Sequence, residues 1–131
     1  MKNNFLKLIE YLYYFSLLAL FILYLFPGSI IGYFLYDDLG QQFDLINNPI
    51  GSSINHLIFF LYLSVLSLTF RLKNKKLINS FQFLFYISNL LELLHFIIPN
   101  RAFEYYDLFA NNAGVLFVYL FANFLLKRKI N

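Results

Sequence analysis

Apolar positions run along this chain in four blocks, and polar positions gather at their ends. The first block, YLYYFSLLALFILYLF (11–26), follows Lys2, Lys7 and Glu10 and stops at Pro27-Gly28. The second, SSINHLIFFLYLSVLSLTF (52–70), runs into Arg71, Lys73, Lys75 and Lys76. The third extends from Leu77 to Ile98, carries no charge before Glu92 and is closed by Pro99. The fourth, Leu108 to Leu126, ends in Lys127-Arg128-Lys129. Each is near the roughly 20 residues an α-helix needs to cross about 30 Å of hydrocarbon. The period-two alternation of membrane β-barrel strands is missing. The pattern therefore predicts an all-α, integral membrane four-helix bundle. It forms a single domain over 1–131, with helices about 8–26, 52–70, 77–98 and 107–126.

A cleaved signal peptide has a similar basic start, but the first block is long and nothing like Ala-x-Ala follows it, so it reads as a retained helix. Residues 27–53 hold Pro27, Gly28, Gly32, Gly40, Pro49 and Gly51 with Asp37, Asp38 and Asp44, and no Lys or Arg. This turn-rich acidic segment reads as a loop outside the hydrocarbon. Within it, IIGYFLYDDL (30–39) has a competing reading as a short interfacial helix. The Gly28-x-x-x-Gly32 spacing falls outside a span, where it says little about helix pairing.

Composition agrees with the pattern. At 60% hydrophobic and 13% charged, 131 residues carry more apolar surface than a domain of this size buries in water. The eighteen Phe and eleven Tyr resemble the coding bias of an AT-rich genome, so single aromatics receive little functional weight. The net charge of +3 sits in short basic clusters at block ends, which suits anionic lipid and gives no sign of nucleic acid. Cysteine is absent, which excludes disulfides, thiolate metal sites and thiol nucleophiles.

Charge also sets orientation. With a cytoplasmic N-terminus, Lys2, Lys7, Arg71, Lys73, Lys75, Lys76, Lys127, Arg128 and Lys129 face inward, leaving Arg101 alone outside. That asymmetry places both termini in the cytoplasm of a multi-pass protein of the cell membrane. Counting about 1.5 Å per residue from the inner ends puts Glu92 roughly 22 Å and His56 roughly 21 Å along their helices. Both then lie about 8 Å beneath the outer surface, with Asp107 near that surface and Asn111 about 6 Å below it. Ser88, Asn89, Glu92 and His95 share one arc of the third helix; Asp107, Ala110, Asn111 and Gly114 share one face of the fourth.

Glu92-x-x-His95, Pro99-x-Arg101, Asp107-x-x-Ala110-Asn111 and Gly114 resemble the signature of the VanZ-like family, E-x-x-Q, P-x-R, D-x-x-A-N and then G. Leu25-Phe26-Pro27 is similar to the family's first-helix exit, and Asn55-His56 with Phe59-Phe60 to the start of its second helix. Ser52 stands where the family usually has Asp, His95 where it has Gln, and Val118 where a second Gly is common. The resemblance implies a small envelope membrane protein, since the founding member is associated with resistance to the glycopeptide teicoplanin. It names a class and no reaction.

The expected site is therefore a polar cluster open to the outer face, made of His56, Glu92, His95, Arg101, Asp107 and Asn111. Ala110 and Gly114 supply a small face for helix packing. Glu92 inside a membrane is protonated, paired with Arg101 or a histidine, or facing a wet cavity. Arg101 is expected to hold the turn between the third and fourth helices by pairing with Glu92 or Asp107. Glu-x-x-His alone is a weak metal signal, because its di-iron use needs acidic residues from neighbouring helices, and no metal or cofactor is expected. Three functions fit. One is binding an amphiphile, a lipid or glycopeptide, by its polar head; the others are a structural subunit of a larger membrane complex and an enzyme using Glu92 with a histidine as acid and base.

Overall fold

A computed structural model of the protein describes residues 2–45, 51–71 and 80–128. The described residues are all-α, with five helices and no strand: α1 (Lys2–Leu25), α2 (Ile30–Tyr36), α3 (Gly51–Arg71), α4 (Phe81–Leu94) and α5 (Tyr105–Arg128). By length and composition, two of them are able to cross a membrane, through Asn4–Leu25 of α1 and Tyr105–Leu125 of α5. The apolar parts of α3 and α4, Ser53–Thr69 and Phe81–Leu94, are shorter. The side chains of Ser52 and Arg71, together with Lys73, Lys75, Lys76 and Lys129, lie outside the described residues.

Local chemistry explains where these elements depart from the block pattern. The 30–36 stretch, read above as part of a loop, is a helix. Ser29 is its N-cap, with Oγ accepting from Gly32 N at 2.9 Å, and Asp37 ends it in the left-handed region at φ 56°. α4 begins one residue after its own N-cap, Ser80, whose Oγ accepts from Phe83 N at 3.0 Å. It ends at Leu94, short of the expected Ile98. From His95 to Ile97 each N–H reaches back three residues, to Glu92, Leu93 and Leu94, so the helix tightens into a turn ahead of Pro99. Prolines bar α-helical geometry in the residue before them, which stops the run there.

α1 packs against α3, α3 against α5 and α5 against α4, with lighter contacts from α4 to α1 and α3. Polar pairs fix the directions. Tyr24 near the end of α1 meets His56 near the start of α3, and Asn89 late in α4 exchanges amide hydrogen bonds of 2.8 and 3.0 Å with Asn112 early in α5. So α1 and α4 run toward the end of the molecule where α3 and α5 begin. α3 and α5 lie side by side and parallel, in contact at Gly114, where an added Cβ would come within 2.8 Å of Leu57 O and 2.9 Å of Leu61 N.

The core alternates apolar and small polar side chains. Tyr13, Leu17, Leu20, Phe60, Leu63, Leu84, Leu91 and Val115 are buried together with Ser16, Ser64, Ser67 and Ser88. Large apolar residues cover the outside instead, among them Phe15, Tyr86, Phe109 and Phe117, each 65% exposed or more. A protein in water normally shows the reverse preference for its charged and apolar groups.

Beyond α1 the chain folds back over the end of the molecule. Ser29 N donates to Leu39 O at 2.7 Å, and Asn55 clamps the returning segment by accepting from Leu45 N at 3.0 Å and donating to Phe43 O. Gly28 (φ +92°) makes the bend, and a Cβ there would sit 2.7 Å from Leu39 O.

Candidate functional site

Where α1 and α4 end and α3 and α5 begin, polar side chains from all four converge on His56. Burial is nearly complete. Glu92 and Asn111 are fully buried, His95 and Asp107 almost so, while the His56 side chain keeps 14% of its surface. A polar group enclosed this way loses its water and needs internal partners. Tyr24 supplies the central one. Its hydroxyl lies 2.6 Å from His56 Nδ1 and donates to Asn111 Oδ1 at 3.0 Å. His56 is thus engaged through Nδ1, and Nε2 is the ring's other nitrogen. That nitrogen faces Asp107 Oδ2 at 3.6 Å. The Tyr24 ring also stacks on His95, with centroids 5.3 Å apart, and meets the His56 ring edge-on at 5.2 Å.

Each carboxylate has one oxygen held and one turned inward. Glu92 Oε1 accepts from Glu104 N at 3.3 Å and lies 3.2 Å from His95 Nδ1. Its Oε2 has no hydrogen-bond partner and sits 3.9 Å from His56 Nδ1. Asp107 Oδ1 accepts from Ser53 Oγ at 2.5 Å, and Oδ2 faces His56. On the turn above, the carboxyl of Glu104 is held above its ordinary range, first by partial burial and then by the charges of Asp107 and Glu92.

Arg101 does something other than the sequence suggested. It forms no ion pair with Glu92 or Asp107; its guanidinium donates to Leu23 O and, at 3.4 Å, to Phe26 O, the unsatisfied carbonyls at the C-terminal end of α1. Those carbonyls carry the negative end of the helix dipole, which makes them a natural seat for a cation. Arg101 thus ties the 95–104 turn to α1, and it also lines a cavity.

That cavity, of about 530 Å³, lies between α1, α3 and the folded-back segment. Tyr24, His56, His95, Arg101, Gln42 and Asn55 are among its polar lining residues. Leu20, Leu23, Ile30, Ile31, Ile58 and Phe59 are among the apolar ones, and no carboxylate of the described residues lines it.

The structure therefore brings His56, Glu92, His95, Asp107 and Asn111 together and sets Arg101 beside them. Comparison with family models, with curated proteins and with solved structures gives no match. Ser88, close by in sequence, stays out of the cluster because its Oγ donates to Phe85 O of its own helix at 2.8 Å. Gly114 lies against α3, and Ala110 is half-buried on the same helix. Tyr24 and Ser53 are the members that sequence reasoning missed. Counting would have found Tyr24, which lies one turn before Pro27 and so at the level of His56.

Tyr24→Phe tests the network. It strands the His56 and Asn111 partners in a buried site, at a cost of about 1–3 kcal/mol. The thermal midpoint in detergent should fall accordingly. An unchanged midpoint would mean that the hydroxyl holds nothing.

Proposed function

We propose that the protein is a multi-pass membrane protein of the VanZ-like type, a four-helix bundle with both termini cytoplasmic. In this reading it holds an amphiphile by its polar head in the cavity beside His56. The cavity carries the reading. It is about 530 Å³, within the range of about 300–1,000 Å³ usual for small-molecule sites, and its wall combines the polar groups of Arg101, His56 and His95 with apolar side chains such as Leu20, Ile30 and Ile58. Among the described residues Arg101 is the permanent cation on its wall and no carboxylate lines it, so an anionic head such as a phosphate is favoured. The apolar portion then takes part of a hydrocarbon tail. The membrane setting is supported by the two helices of spanning length and by an exterior more apolar than the core is. α4, at 14 residues, covers about 21 Å, and its tightened turn carries the apolar stretch on to Pro99. The positive-inside asymmetry places the cavity on the outer side, where envelope lipids and glycopeptides are met.

Two experiments bear on this. A chain without cysteine permits clean single-cysteine labelling. Gln41→Cys should react with an impermeant maleimide from outside and Lys127→Cys only after the membrane is opened; the opposite pattern would refute the topology. For the ligand, protein purified in mild detergent should carry phosphate-bearing lipid detectable by native mass spectrometry. That lipid should be lost in Arg101→Gln and in Ile31→Trp, which fills the cavity. The same lipids on all three would defeat the reading. Stoichiometric protein partners in place of lipid would favour a subunit of a larger complex.

A further inference from the structure

The three side chains that close the inner wall of the site come from three helices: His56 from α3, Glu92 from α4 and Asp107 from α5. One nitrogen of His56 and one oxygen of each carboxylate lie within 4.8 Å of one another. We propose that this triad is a site for a divalent transition cation of the zinc or manganese type. The inference is independent of the amphiphile reading.

Charge is the first argument. Glu92 and Asp107 are buried at 0% and 3% exposure, and among the described residues no Lys or Arg pairs with either. Arg101, the nearest candidate, donates to the α1 carbonyls instead. Two buried carboxylates with only His56 and His95 beside them lack a permanent counter-charge, and one dication neutralises both.

The second argument is how the ligand atoms are presented. A metal ligand is usually oriented by a partner on its far side. Here all three are: Ser53 holds Oδ1 of Asp107, Glu104 N and His95 hold Oε1 of Glu92, and Tyr24 holds Nδ1 of His56. Oδ2 of Asp107 and Nε2 of His56 face one another at 3.6 Å, and Oε2 of Glu92, fully buried and without a hydrogen-bond partner among the described residues, lies 3.9 Å from Nδ1 of the same ring. An unpartnered carboxylate oxygen aimed into such a cluster is the observation that separates this site from an ordinary acidic group.

Geometry and donor type set the ion. Atoms no more than 4.8 Å apart lie within roughly 2.8 Å of a shared centre, against about 2.0–2.2 Å for zinc bonds to nitrogen or carboxylate oxygen. Side-chain movements of under about 1 Å close the site. One imidazole with two carboxylates suits Zn²⁺, Mn²⁺ or Fe²⁺; calcium and magnesium take oxygen alone. Three protein ligands leave a coordination position open, and His56, which also lines the cavity, sets the triad next to it.

The test uses the full chain without an affinity tag, in detergent, stripped with EDTA and dialysed. Zn²⁺ is titrated by calorimetry, and Co²⁺ by its visible absorption, which reports the ligand set. One equivalent should bind saturably. Asp107→Asn and His56→Gln should each weaken binding at least about tenfold. Glu104→Gln, an acidic neighbour outside the triad, should bind like the parent. Absence of saturable uptake of both ions, or equal affinity in Asp107→Asn and His56→Gln, would overturn the site. If those variants do not fold, the parent decides alone: Zn²⁺ should raise its thermal midpoint and EDTA should reverse the rise, and a midpoint indifferent to Zn²⁺ would count against the proposal.

Discussion

Gly114→Leu should leave no folded protein to purify, and Gly114→Ala should lower stability by about 1–3 kcal/mol. The reason is which atoms stand in the way. A Cβ at 114 would meet Leu57 O at 2.8 Å, Leu61 N at 2.9 Å and Phe60 Cβ at 3.0 Å, so two of the three obstacles are backbone of α3. Flexible side chains swing aside; backbone moves only if the helix moves. α3 and α5 form the most extensive helix pair in the molecule, and their separation is set at this point. In the membrane setting proposed above the penalty has no easy relief, because apolar surface gains little by leaving hydrocarbon and helix association rests on close packing. The same displacement would carry Asn111, one turn away, off Tyr24 and His56, so the site should fail together with the fold. Thermal unfolding followed by size-exclusion recovery in detergent measures both variants. A Gly114→Leu protein with the parent's midpoint would show that α3 and α5 are not in tight contact.

How much of this was legible beforehand depends on the kind of information a residue carries. Apolar blocks report helices well, because burial in any apolar phase demands internally satisfied backbone, and the four long helices fall on the four blocks. Rise per residue is nearly constant, so counting from the basic ends put His56, Glu92 and Asn111 near one level, where they gather, and Asp107, counted nearer the surface, joins them at His56. Helix ends were poorly legible, since they depend on single hydrogen bonds. Ser29 and Ser80 each cap a helix through Oγ, yet nothing in composition separates them from other serines. α2 was hidden by the glycines and prolines around it, although its cap and its left-handed Asp37 are ordinary helix signals. Arg101 was misread for a further reason. A carboxylate in sequence view looks like the obvious partner of an arginine, while the bare carbonyls at the end of α1 are invisible there. Tyr24 was discounted with the other aromatics, and only its position at the shared level distinguishes it.

Glu92 is where structural and functional roles are separable, and the contrast between two substitutions separates them. Glu92→Ala should cost about 3–5 kcal/mol, as removal of one partner from a buried polar network does. It empties a fully enclosed position and strands Glu104 N and His95 Nδ1. In cells that protein should fail to accumulate. Glu92→Gln keeps the volume and still offers one oxygen to Glu104 N, so its loss of stability should be well under half that of the alanine variant. Equal midpoints for the two would mean that the shape and hydrogen bonds of Glu92 contribute nothing. What the glutamine loses is the negative charge and the second oxygen, the features on which cation binding at His56 and Asp107 depends. A folded Glu92→Gln protein that no longer takes up Zn²⁺ would assign that charge to the site's chemistry. The same protein with the parent's zinc affinity and unaltered envelope properties would assign Glu92 to holding α4 against the 104 turn.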